Sequence, residues 1–185
     1  AFTPEGVVRT RSALLVLPSA EQARVKLHYT GAEIRANPEL ETILGNGAGA
    51  AARVKLAWGE VRSQYDALFA ANTRDAVPGD RLTLWTRCRA WLVHEGYSRE
   101  LNKDCLAGFQ ADPAGRFATW HFRVPCGMGR ETAFSFTLSL ATGANAATLA
   151  VVRSDAGARE AACPVRLVLR PDLEWRSFHA TTKAQ

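Results

Sequence analysis

The amino-acid sequence predicts an all-β fold, an antiparallel sandwich or barrel with little helix, and three observations carry that prediction. In AFSFTLSL, Phe134, Phe136, Leu138 and Leu140 alternate with Ala133, Ser135, Thr137 and Ser139. This is the period of two expected of a strand with one buried face. Turn signals recur between such segments, at Pro18–Ser19, Asn46–Gly47, Pro78–Gly79–Asp80, Asp112–Pro113, Gly127 to Gly129 and Gly143 to Asn145. The composition, 47% hydrophobic and 22% charged over 185 residues, is that of a single globular domain with a core of its own.

Taken in order, VVRTRSALLVL (7–17) and RVKLHYT (24–30) read as strands. Residues 31–52 read either as a short helix from Glu39 to Leu44 with a mobile loop, or as loop throughout. The Ala/Gly enrichment at 45–52 marks the mobile part. ARVKLAW (52–58) reads as a strand. The stretch 60–75 favours a helix, because Val61, Tyr65, Leu68 and Phe69 recur at helical spacing. RLTLWTRCRAWLV then places Leu82, Leu84, Cys88, Ala90 and Leu92 on one face of a long strand. Its other face carries Trp85, Arg87, Arg89 and Trp91. FATWHFRV (117–124), ATLAVVR (147–153) and PVRLVLR (164–170) complete the set.

Several function classes find little support. The formal charge of +5 is spread as single arginines rather than clustered, so no nucleic-acid partner is expected. The apolar runs are too short to span a bilayer as helices, so no membrane partner is expected. The cysteines at 88, 105, 126 and 163 lack the C-x-x-C pairing of a zinc site, and no metal or cofactor is expected. Cys88 within a strand reads as a buried reduced thiol, which suits a reducing cytoplasm. There is no G-x-S-x-G elbow or phosphate-cradling glycine loop, and no carboxylate pair separates itself from the rest as an acid and a nucleophile. No catalytic residue is assigned.

Two regions can contact a ligand. The alternating face of Trp85, Arg87, Arg89 and Trp91 offers indole rings for the C–H faces of sugars and guanidinium donors for their hydroxyls. The same residue types also suit packing under a loop or against a neighbouring domain, the more ordinary use of such a face. The tail RPDLEWRSFHATTKAQ gathers Arg170, Asp172, Glu174, Trp175, Arg176, His179 and Lys183. It reads either as a last strand and solvated terminus, or as a segment that turns its polar side chains toward a shared cleft.

The stretches VKLAWGEVRSQYDALFAAN (54–72), DRLTLWTRCRAWLVHEGYSREL (80–101) and LVLRPDLEWRSFHATTKA (167–184) resemble bacterial glycogen debranching enzymes of the amylo-alpha-1,6-glucosidase type. The resemblance runs from about residue 53 to the end. It implies an antiparallel, supersandwich-like β-sandwich over 1–185, the N-terminal piece of a longer enzyme whose helical (α/α) barrel carries the hydrolytic carboxylates. Its implied partners are that barrel and an α-glucan, glycogen or a limit dextrin. It further implies that YDALFAAN is a strand entering a loop rather than a helix. A free-standing glucan-binding module and a purely structural interaction domain are the alternatives.

Overall fold

The computed structural model describes residues 2–3, 6–7, 27–74, 80–127, 129–154 and 164–181. Most of them lie in antiparallel strands, in two main sheets facing each other across a shared core. A small ladder joins β1 (Phe2–Thr3) to β2 (Gly6–Val7). The rest of the predicted strand 7–17, residues 24–26 of the next, and the turn at 78–79 lie outside the described residues.

The smaller sheet runs in the order β12 (Ala147–Ser154), β11 (Glu131–Leu140), β10 (Phe117–Pro125), β9 (Leu106–Ala111) and β3 (His28–Thr30). The alternation in β11 is borne out: Phe134, Phe136, Leu138 and Leu140 are all buried, and the residues between them are more open. Its neighbour β10 places Trp120 opposite Phe136 and Phe122 opposite Phe134, so one aromatic layer spans both strands.

The larger sheet runs in the order β13 (Arg166–Ser177), β7 (Arg81–His94), β6 (Ala67–Asn72), β5 (Ala51–Lys55) and β4 (Glu41–Gly45). The far end of β7 also pairs with β8 (Tyr97–Glu100). Trp58, on the turn after β5, joins the two layers. Its ring meets Trp120 at 5.0 Å and Phe136 at 5.1 Å, both edge-on, the offset that aromatic quadrupoles favour. The Trp120 Nε1–H donates to the Leu56 carbonyl at 3.0 Å, so a fully buried indole keeps its polar atom paired.

The structure corrects three sequence expectations. The short helix is not at Glu39 to Leu44; it is α1 (Gly31–Ala36), and residues 41–45 form β4. Thr30 starts it with a capping box: its side chain accepts from the Glu33 amide while Glu33 accepts from the Thr30 amide. Second, the helical propensity of 60–75 is overridden. Residues 67–72 are β6, with Ala67 to Ala71 all buried, and a strand buried on both faces loses the alternation that would reveal it. The strand implied by the family resemblance is therefore the one observed. Third, the expected mobile loop after β4 is a turn held by Asn46, whose Oδ1 accepts from the amides of Ala48 and Ala50 and whose Nδ2 donates to the Ala144 carbonyl.

Strand β7 is also less regular than its sequence. Thr83 and Cys88, five residues apart, are both buried, which uninterrupted alternation forbids. The pairing with β13 steps from Arg87–Asp172 to Trp85–Leu173, leaving Thr86 as an extra residue in β7. That bulge reverses the phase. Cys88, Ala90 and Leu92 face the core as expected, while Trp85 packs against the core cluster from the segment before the bulge.

Candidate functional site

Pairing between β7 and β13 joins the two regions selected from the sequence. Arg87 lies opposite Asp172, Arg89 opposite Arg170, and Trp91 opposite Val168. Side chains of directly paired residues share a face of the sheet, so residues some eighty positions apart form one surface. Arg87 Nε donates to Asp172 Oδ2 at 2.6 Å, while Arg89 Nη2 and Arg170 Nε each lie 3.6 Å from Oδ1. Burial tends to raise the Asp172 pKa. The hydrogen bond from Arg87 and the charges of all three arginines outweigh it and hold the carboxyl below its usual range. The Arg89 guanidinium also lies 5.9 Å from the Trp91 ring centre.

Further along β13 the same face borders an open cleft of 430 Å³, whose lining includes Arg62, Gln64, Arg87, Asp172, Glu174 and Arg176. One wall is the 60–66 loop. Asp66, 2% exposed, shapes it by accepting from the amides of Arg62 at 2.8 Å and Ser63 at 2.9 Å. Arg176 closes the cleft against β13, donating to Glu174 at 2.7 Å, to the Gln64 carbonyl at 3.0 Å and to the Ala180 carbonyl. Arg62 is held by Glu60 and Glu39.

The remaining predicted residues take different places. Trp175 is 76% exposed beside the cleft, and its neighbour Leu173 is 70% exposed. Trp85 is half-buried and its indole N–H donates to the Arg87 carbonyl at 3.0 Å. His179 stands edge-on to Tyr65 at 5.9 Å, on the turn after β13. Sequence reasoning did not select Arg62, Ser63 or Gln64. A helical reading of 60–75 hid the loop, although the Ser63 to Asp66 spacing, with its short polar ends, is a turn signal. Among the described residues no cluster of His, Cys, Asp and Glu could hold a metal ion, and no helix is long and apolar enough to cross a membrane.

The deciding comparison is with protein families. The family model described as glycogen debranching enzyme N terminal matches residues 40–185, most of the chain and all of the large sheet. This chain belongs to that family. No curated protein and no solved structure matched it. The debranching-enzyme N-terminal domain described here thus places its cleft, the three-arginine cluster and the exposed Trp175 all within the matched region.

Proposed function

We propose that this domain supports the catalytic (α/α) barrel of a glycogen debranching-type glycoside hydrolase and contributes to recognition of its α-glucan. Hydrolysis of the α-1,6 bond resides in the barrel. The observation that carries the reading is the cleft between β13 and the 60–66 loop, flanked by the exposed Trp175. An exposed indole gives a sugar ring an apolar platform, and the neighbouring guanidinium, amide and carboxylate groups suit its hydroxyls. Val168, Leu169 and Leu173, exposed on the same strand, suit burial against a partner domain. The buried free thiols of Cys88 and Cys105 fit a reducing cytoplasm.

Affinity electrophoresis in gels with and without glycogen, against an inert control protein, tests the glucan half of this reading. The domain should be retarded by glycogen. Trp175→Ala should weaken the apparent affinity roughly tenfold, about the loss expected for one stacking aromatic. Trp85→Ala, which removes a core contact, should act on stability more than on retardation. Equal retardation of wild type and Trp175→Ala would remove Trp175 from the site, and no retardation at all would leave the domain with packing alone.

A further inference from the structure

The cluster around Asp172 is short of negative charge. Arg89 and Arg170 are directly opposed across β7 and β13, a placement that costs stability for like charges. Asp172 is the carboxylate between them, and its close bond goes to Arg87; its other oxygen is 3.6 Å from each of the opposed pair, beyond hydrogen-bond reach. Three guanidinium groups and one carboxylate leave an excess of two positive charges. Arg166, opposite Val93 on the same face, and Glu100, opposite Trp91, carry opposite charges and leave that excess unchanged. Glu100 of β8 lies opposite Trp91 without an ion pair to either arginine, and β6 presents no charged side chain on the other side of β7.

Arg89 is also incompletely paired within the fold. Arg89 Nε is shut off from solvent and has no hydrogen-bond acceptor among the described residues. A buried donor without a partner is costly, and a planar guanidinium fork is the side chain best shaped to bind a tetrahedral oxyanion. Arg170, 61% exposed, leaves the opposite side of the pair open to an incoming ligand.

We propose that Arg89 and Arg170, with Arg87 behind them, form a site for a doubly charged oxyanion: inorganic phosphate or the phosphate group of a phosphomonoester. The ion neutralises the opposed arginines, bound through the guanidinium nitrogens that solvent reaches. This assignment does not rest on glucan binding, because Arg89 and Arg170 lie outside the lining of the cleft.

The experiment is a titration of the domain with sodium phosphate against sodium chloride at equal ionic strength, following the Arg Nε–H signals by NMR and the melting temperature. Phosphate should shift the Arg89 Nε–H signal saturably and raise the melting temperature above that in chloride. Arg89→Gln should weaken phosphate roughly tenfold, the loss expected for a charge-assisted hydrogen bond. Arg170→Gln, at a largely exposed position, provides a second variant if the first folds poorly. A hexose phosphate binding more tightly than inorganic phosphate would identify the ligand as a sugar phosphate, and equal binding would identify it as the free ion. Identical melting in the two salts, with an unmoved Arg89 signal, would overturn the proposal.

Discussion

At the scale of single residues, Asp172 shows how one side chain acquires a role from its neighbours. It is an ordinary carboxylate in sequence, but pairing of β13 with β7 places three arginines around it. Its carboxyl is therefore held below the usual range. A lowered folded-state pKa adds stability that is fully present above the unfolded value, about 4, and is lost as pH falls through the folded value. Melting curves of wild type and Asp172→Asn should accordingly differ at pH 6 and converge as the pH approaches 2. A difference that stays constant over that range would mean that the ionised carboxylate does not stabilise the fold. The residue was legible as a candidate because it lies in a tail dense with ligand-gripping groups. Its pairing with Arg87, Arg89 and Arg170, themselves candidates, was not legible, because two of them lie on a strand some eighty residues earlier.

At the scale of elements, local chemistry and tertiary burial compete. The helix α1 follows local chemistry, since Thr30 and Glu33 form a capping box around a segment of only six residues. Gly31 shows the tertiary constraint on the same helix: a Cβ there would lie 1.9 Å from the Leu106 carbonyl oxygen. Gly31→Ala should cost several times the ~1 kcal/mol expected for Thr30→Ala, despite the better helix propensity of alanine. Urea unfolding midpoints of the two variants check the ordering, and a stabilised Gly31→Ala would show that the approach of α1 to β9 is loose. Strand β6 is the opposite case. Its apolar residues look helical by spacing, but the sheet takes them because both faces of that strand are buried. The bulge at Thr86 belongs here too, since it turns Trp85 toward the core and leaves Arg87, Arg89 and Trp91 outside.

At the scale of the whole molecule, the two sheets are joined by an aromatic core in which Trp120 is central. It is fully buried, meets Trp58 and Phe109 edge-on, and bonds the Leu56 carbonyl. Trp120→Ala should cost about 3–5 kcal/mol, with the lost hydrogen bond adding to the cavity. Trp175→Ala, on the outer strand, should change the unfolding midpoint little. Chemical denaturation of the two variants separates the core from the ligand-facing surface, and a similar loss in both would mean that Trp175 is part of the folded core.

The class of the fold is legible in the amino-acid pattern, because alternation along β11 and most of β7 requires a sheet with one buried face. That pattern also selected Arg87, Arg89, Trp91, Arg170 and Asp172 as candidate ligand contacts. Three-dimensional packing added that these residues share one face, that Trp85 leaves them for the core, and that the 60–66 loop builds the opposite wall of the cleft. The physical reason is that side-chain period is a local property of the chain. Strand register, bulges and the burial of both faces of β6 depend on contacts between distant segments.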